Sequence, residues 1–163
     1  MEKHNVIVED FLTEKEIEDI YAGKEEAYNI FVMKDFGQQV SDFWMSEETK
    51  NKIINKCEEI FEVSGLRLKA YQFARYEKFI RNDGTVSNPL LFPHVDGFQE
   101  KRFTFDLQLR SNTDWSIFVE GKEFTLKDNE ALTFYGTLQE HWRPEKDFQD
   151  GEYIDMLFCH LEL

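Results

Sequence analysis

The stretch Arg102-Phe103-Thr104-Phe105-Asp106-Leu107-Gln108-Leu109-Arg110 alternates strictly between apolar and polar side chains. Successive side chains of a β-strand point to opposite faces, so its phenylalanines and leucines share one face, and Thr104, Asp106 and Gln108 share the other. The apolar face predicts packing against a core, and the polar face predicts contact with solvent or a wet cavity. Many short runs of this kind, separated by Gly, Asn, Asp and Pro, are typical of a barrel or sandwich.

The region before this strand has a different pattern, with apolar residues at helical spacing. Thr13 is followed three residues later by Glu16, a capping box that predicts the start of a helix after a short strand. A second helix is predicted over Ser46–Val63, and Gly65 is expected to end it. The sequence therefore predicts a mainly β fold with flanking N-terminal α-helices, with helical support over 10–64 and a β core over 66–163.

The bulk composition predicts one domain over 1–163. The chain has 163 residues, of which 41% are hydrophobic and 15% aromatic, enough to form a substantial core. Its apolar runs are of strand length, so no membrane span is expected. Met1–Asn5 opens with charged residues rather than a basic cluster and an apolar run, which argues against a secretory signal and favours the cytoplasm.

Charge and cysteine content exclude some partners and linkages. A formal net charge of −14 repels a phosphate backbone, so no direct nucleic-acid binding is expected, whereas a basic peptide or protein would be attracted. Cys57 and Cys159 are interpreted as small buried hydrophobic residues rather than a disulfide. The sequence does not indicate an oligomeric state.

Three side chains form a candidate metal site. His94 and Asp96 lie two positions apart in an extended segment, so they project from the same side of a strand. His141 lies far along the chain, with room between for several antiparallel strands that return it to this pair. Two imidazoles and one carboxylate on one face of an ion leave other positions open, the arrangement of non-haem Fe(II) oxygenases.

The other histidines and two tryptophans receive simpler interpretations. A His-x-Asp pair arises by chance in many acidic chains, so the distal histidine and the strand patterning around it carry the argument. Neither His4 nor His160 has a partner at ligand spacing, and we predict surface and core positions respectively. Trp142 alternates with His141 and is expected to face away and pack, and Trp44 is expected in the core.

Further polar positions surround the candidate ligands. Gln72 and Tyr76 share one face of the strand over residues 66–76. The long polar stretch over residues 79–92 runs into the first ligand and is interpreted as a loop that shapes a pocket. His141 and Arg143 share a face, which directs the guanidinium of Arg143 to the same side as the imidazole.

Taken together, these motifs resemble those of the Fe(II)/2-oxoglutarate-dependent oxygenases, and within them the prolyl 4-hydroxylase-like subgroup. The matching elements are Arg75-Tyr76, His94-x-Asp96, the alternating strand, Gly121, Asn129-Glu130-Ala131-Leu132 and His141-Trp142-Arg143. The resemblance implies a double-stranded β-helix, a jelly-roll or cupin-like barrel. It also implies Fe(II) held by His94, Asp96 and His141, with 2-oxoglutarate and O2 consumed in hydroxylating a C–H bond, such as that of a prolyl residue.

One departure from the family pattern affects the cosubstrate. Most relatives carry a Lys or Arg shortly after the distal histidine that binds the far carboxylate of 2-oxoglutarate, but Asp150-Gly151-Glu152-Tyr153 contains no basic residue. Arg143 is the replacement we expect, because a guanidinium forms two parallel hydrogen bonds to a carboxylate. Tyr76 and Gln108 are the further candidates.

Two alternative functions remain open from the sequence alone. One is a catalytically silent β-helix that binds a ligand or protein, and the other is a cupin-like metalloenzyme that uses the same triad without 2-oxoglutarate. For the oxygenase, a peptide, a protein or a small molecule are all compatible substrates, and the sequence does not distinguish them.

Overall fold

The computed structural model describes residues 1–26, 31–33, 38–41, 43–81, 83–97 and 101–163. In chain order its elements are a 3₁₀ turn (Glu2–His4), β1 (Ile7–Val8), α1 (Glu14–Glu26), β2 (Phe31–Met33), β3 (Gln38–Ser41), α2 (Glu47–Phe61), β4 (Arg67–Glu77), β5 (Phe79–Ile80), β6 (Val86–Ser87), β7 (Leu91–His94), β8 (Phe103–Ser111), β9 (Ile117–Val119), β10 (Lys122–Phe124), β11 (Glu130–Tyr135), β12 (His141–Arg143) and β13 (Tyr153–Glu162). Neither helix in these ranges has the length and apolarity needed to cross a membrane.

Two main antiparallel sheets form the body of the molecule. The larger has the strand order β1-β11-β8-β13-β4-β3-β2, and the smaller has the order β10-β9-β12-β7. Apolar side chains from both sheets meet in one buried cluster that includes Tyr76 and Met156 of the larger sheet and Ile117 and Val119 of the smaller. This architecture confirms the mainly β prediction with two helices.

The alternation in β8 divides the interior into two layers. Its apolar residues Phe103, Phe105, Leu107 and Leu109 are at most 1% exposed and pack in a cluster with residues of both helices. Thr104, Asp106 and Gln108 point to the opposite face, towards the smaller sheet, and are also buried, whereas Arg110 and Ser111 at the end of the strand are partly exposed. The polar face of this strand is therefore an interior surface, not a solvent-facing one.

Both predicted helices are present, with one difference at a terminus. Thr13 and Glu16 form the capping box, in which the Thr13 amide donates to Glu16 Oε1 at 2.9 Å and the Glu16 amide donates to Thr13 Oγ1 at 3.2 Å. The second helix ends at Phe61 rather than Val63, because Glu62 adopts a left-handed conformation with φ of 56°. Gly65 lies in the turn that follows.

The N-terminal segment and the stretch over 79–92 contain more strand than we predicted. Segments β2 and β3 extend the larger sheet, with β3 paired to β4. β5 and β6 pair with each other, and the stretch ends in β7, so its described residues are not a structureless loop. These short strands lack the length over which alternation becomes visible in a sequence.

Two side-chain placements away from the cavity were wrong. His4 is 8% exposed, its ring lies against Phe61 and Tyr135, and its Nδ1 is 2.8 Å from the carbonyl oxygen of Ile60, so it is not a surface residue. Trp44 is 62% exposed rather than part of the core. Both cysteines are buried and unpaired, as expected.

Candidate metal centre

Strand pairing brings the two candidate histidines together. β7 and β12 are antiparallel neighbours, and His94 lies directly opposite His141 in their register. Their ring centroids are 4.3 Å apart. Asp96 follows β7, where its amide donates to the carbonyl oxygen of Gly136 at 2.7 Å and thus fixes the turn. The pairing of β7 with β12 therefore brings together two histidines that lie far apart in the sequence.

The three side chains converge on one point. Oδ1 of Asp96 is 3.3 Å from Nε2 of His94 and 3.3 Å from Nε2 of His141. One ligand atom from each of the three residues lies within 4.8 Å of the others. Two imidazole nitrogens and one carboxylate oxygen at this spacing can coordinate one face of a divalent transition metal.

Backbone carbonyls fix the tautomer of both imidazoles. Nδ1 of His94 is 2.6 Å from the Phe92 carbonyl oxygen, and Nδ1 of His141 is 2.9 Å from the Gln139 carbonyl oxygen. A carbonyl oxygen only accepts, so each Nδ1 carries a hydrogen. Without a metal, an Nε2 that donates to Asp96 carries a second hydrogen, and loss of that hydrogen leaves a lone pair that can bind a metal. This is the outer arrangement that metal-binding histidines use to hold their orientation.

The charges of the triad are those of a ligand set. Burial alone would raise the pKa of Asp96, but hydrogen bonds from His141 and His94 outweigh it and hold the pKa well below its usual range. The hydrogen bond to Asp96 raises the pKa of His94. Asp96 is therefore ionised at neutral pH, and a bound cation replaces a proton on the imidazole side.

Gly136 makes room for the carboxylate. A Cβ at this position would lie 2.6 Å from Oγ1 of Thr104 and in severe overlap with Oδ2 of Asp96. Oδ2 therefore occupies the space left by the missing side chain, while Oδ1 faces the two imidazoles. Any side chain at 136 would therefore require Asp96 and Thr104 to move.

We expect Gly136→Ala to weaken metal binding by about 10–100-fold, the range typical for loss of an outer support of a metal ligand. The backbone conformation at Gly136 is open to alanine, so the effect arises from contact with Asp96. Titration calorimetry with Mn(II) measures it. Leu138→Ala, an exposed change in the same turn, is the control, and equal affinity in the two variants would contradict the proposed steric role.

The ligand atoms open into a cavity of about 180 Å³ between the two sheets. Its lining residues are Gln38, Gln72, Tyr76, Leu91, His94, Asp96, Asp106, Ile117, His141, Arg143, Phe158 and His160. Of the candidate residues named from sequence, Gln108 is not part of this lining. Its amide donates instead to Ser111 Oγ at 3.1 Å and to Asp128 Oδ1 at 3.2 Å.

Arg143 is a buried cation in this cavity. It is 2% exposed, and Nη1 donates to the Trp115 carbonyl oxygen at 2.8 Å, while Nη2 lies 3.8 Å from Sδ of Met156. Within the described ranges no carboxylate lies close enough to form an ion pair with it. Burial lowers the pKa of Arg143, but a guanidinium stays charged in proteins. A buried charge without an ion-pair partner is costly, so an anion beside this guanidinium would be stabilised.

Tyr76 lies beside this guanidinium. Its side chain is fully buried, the Arg143 guanidinium carbon is 5.7 Å from its ring centroid, and its hydroxyl accepts a hydrogen bond from Gln38 Nε2. Burial raises the pKa of Tyr76 to about 12, although Arg143 and Gln38 act in the opposite direction. The hydroxyl therefore keeps its proton and is available as a donor.

Some lining residues were not candidates in the sequence. Asp106 was recognised only as part of a polar strand face, and its alternation was the signal that points it inward. His160 was assigned to the core, whereas it forms part of the cavity wall. Gln38 lies in a short strand of the predicted helical segment, and no local pattern marked it.

Comparison with solved structures identifies the fold. A viral collagen prolyl hydroxylase from Paramecium bursaria Chlorella virus-1, solved with 2-oxoglutarate, superposes with a TM-score of 0.65 at 16% identity, over 99% of this chain and 97% of that one. The fold is that of the 2OG-Fe(II) oxygenases. An oxygenase of this family from Burkholderia pseudomallei gives a TM-score of 0.68 at 9% identity, over 98% and 85% of the two chains.

A prolyl 4-hydroxylase from Pseudomonas putida also matches this oxygenase fold, with a TM-score of 0.61 at 14% identity, over 96% of this chain and 91% of that one. No protein-family profile matches the sequence, and no curated protein is similar to it at the sequence level. The expected double-stranded β-helix is confirmed by these structures. At such identities the likeness establishes the fold, and the chemistry rests on the residues of this chain.

Proposed function

We propose that this protein is an Fe(II)- and 2-oxoglutarate-dependent oxygenase that hydroxylates a C–H bond. One observation carries the proposal: a two-histidine, one-carboxylate ligand set lines the same cavity as a buried guanidinium that has no ion-pair partner among the described residues. An α-keto acid with a second carboxylate needs both, since its keto acid end binds a metal and its far end binds a cation. The fold of the 2OG-Fe(II) oxygenases supports this interpretation.

Each residue has a defined role in the proposal. His94, Asp96 and His141 hold the metal through Nε2, Oδ1 and Nε2. Arg143 binds the far carboxylate of 2-oxoglutarate through its planar fork, and Tyr76 donates a hydrogen bond beside it. Gln108 has its amide engaged elsewhere and is left out of the binding set.

When bound, Fe(II) with O2 supplies oxidative decarboxylation of 2-oxoglutarate to succinate and CO2, coupled to C–H hydroxylation. The residues of this chain contribute orientation and a shielded site. Leu91, Ile117 and Phe158 give the cavity apolar walls that exclude water from the reacting groups. Asp96 completes the ligand set, which favours hydroxylation over the halogenation carried out by relatives that lack the carboxylate.

A peptide or protein is the substrate class we favour. A prolyl hydroxylase from Trichoplax adhaerens, solved with a peptide fragment of hypoxia-inducible factor, has the same fold at a TM-score of 0.56 and 13% identity. The net charge of −14 attracts a basic partner. Proline-containing basic peptides are therefore the first substrates to screen, and a cytoplasmic location stays a prediction.

Anaerobic addition of Fe(II) and 2-oxoglutarate tests the proposal. We expect a weak visible charge-transfer band that needs both components, followed in air by release of succinate. Omission of 2-oxoglutarate and its replacement by succinate are the controls. A metal-loaded protein that gives no band would favour a metalloenzyme without this cosubstrate, and failure to retain metal would favour a silent binding module.

A further inference from the structure

One buried carboxyl group in the cavity has no role in the function proposed so far. Asp106 of β8 is 7% exposed and lines the cavity. Its Oδ1 has no hydrogen-bond partner in the described residues, and no basic side chain in those residues forms an ion pair with it. Buried carboxylates without a partner are rare, because the charged form loses its hydration.

Asp106 lies next to the metal end of the cavity. Thr104 precedes it on the same strand face, one step of about 7 Å along the strand. Oγ1 of Thr104 and Oδ2 of Asp96 both border the space above Gly136, so Thr104 lies beside the carboxylate of Asp96. Burial, reinforced by the negative charge of Asp96, raises the pKa of Asp106 well above its usual range, although the positive charge of Arg143 acts in the opposite direction.

The other neighbour of Asp106 on this strand face, Gln108, lies on the side of Arg143. Gln108 is the next inward residue of β8, and its partner across the sheet is Met156. Sδ of Met156 lies 3.8 Å from Nη2 of Arg143. Asp106 therefore lines the part of the cavity between the metal ligands and the guanidinium. A molecule that reaches from the metal to Arg143 would lie against it.

A ligand held between these two ends must be compatible with Asp106. Every oxygen of 2-oxoglutarate is a hydrogen-bond acceptor, and the molecule carries two negative charges. An ionised carboxylate beneath it would repel it, whereas a neutral carboxylic acid has a hydroxyl that donates. The cavity floor thus complements the cosubstrate only when Asp106 is protonated.

We propose that Asp106 is a cosubstrate-binding residue that donates a hydrogen bond, as a neutral carboxylic acid, to 2-oxoglutarate held between the metal and Arg143. The inference rests on the proposed function, because it assigns a residue to that same cosubstrate. It adds a third protein donor, beside Tyr76 and Arg143, in a site that lacks the basic residue usual after the distal histidine.

Two substitutions that keep the number and branching of side-chain heavy atoms separate this role from an ionised one. Asp106→Asn keeps a donor without charge, and Asp106→Leu removes both. We expect the dissociation constant of 2-oxoglutarate, measured by calorimetry on the Mn(II)-loaded protein without oxygen, to stay within about threefold in Asp106→Asn. In Asp106→Leu it should rise by about 10–100-fold, the loss of a hydrogen bond to a charged group.

If Asp106 were ionised, the two substitutions would change the affinity for 2-oxoglutarate in the opposite direction. Removing a repelling charge would tighten 2-oxoglutarate binding in both variants, and tighter binding in Asp106→Asn alone overturns the proposal even if Asp106→Leu does not fold. Unchanged affinity in a folded Asp106→Leu variant also overturns it. Asp114→Asn, an exposed change, is the control. Absence of 2-oxoglutarate binding in the unsubstituted protein would contradict the proposed function itself.

Discussion

His141→Ala is expected to lower the affinity for Fe(II) or Mn(II) by more than about 100-fold, because losing even an outer support of a metal ligand costs 10–100-fold. His141 supplies one of the three proposed ligand atoms, and its imidazole is oriented by the Gln139 carbonyl oxygen. The charge-transfer band of the anaerobic complex should disappear with the metal. Calorimetry with Mn(II) and the visible spectrum measure the two effects separately.

His160→Ala is the matched control for this result. His160 lines the same cavity but lies outside the group of converging ligand atoms. Its removal should leave metal affinity within about threefold, since no coordinate bond is lost. Equal loss of metal in both variants would indicate general damage to the cavity, and equal retention would show that the triad does not bind metal.

Arg143→Met is expected to weaken 2-oxoglutarate binding by about 100-fold, the loss of two charge-assisted hydrogen bonds. Metal affinity should be unchanged, because Arg143 does not contribute a ligand atom. The thermal midpoint of the unliganded protein should change little, because among the described residues the buried guanidinium has no ion-pair partner that its removal would leave uncompensated. Calorimetry on the Mn(II)-loaded protein and a thermal melt measure these quantities.

Arg75→Met provides a contrasting case. Arg75 forms two hydrogen bonds, at 2.7 and 2.9 Å, with the fully buried carboxylate of Asp155. Its removal should lower the free energy of unfolding by about 3 kcal/mol, because the buried carboxylate of Asp155 loses its cationic partner. The affinity for 2-oxoglutarate should be unchanged. If Arg143→Met showed this same pattern, a structural role for Arg143 would replace the proposed one.

The convergence of the candidate metal ligands could be predicted because it depends largely on which face of a strand each residue occupies. His94 and Asp96 lie two positions apart, as do His141 and Arg143, and a period of two places each pair on one side of an extended segment. In the structure Asp96 lies just beyond β7 and the pairing of β12 shifts register after His141, yet both pairs still line one cavity. The pairing of β7 with β12 then places both pairs in one cavity. Arg143 was found by the same rule, although the family pattern points elsewhere.

Which of the residues on one strand face reaches the cavity could not be predicted in the same way. Gln108 and Asp106 share a face, and parity alone does not say which of them reaches the cavity. The answer depends on Asp128, which comes from a distant turn and engages the Gln108 amide. His4 and Trp44 were misplaced for a similar reason, since tertiary packing decides their burial.

The missing side chain at Gly136 has an evolutionary consequence. Because this position and Asp96 occupy the same space, the two sites are free to change only together. Homologues that retain the aspartate should retain glycine there, while those that have lost the carboxylate are released to carry alanine or serine. Covariation of this pair offers a criterion for separating active descendants from degenerate copies that a His-x-Asp search alone would accept.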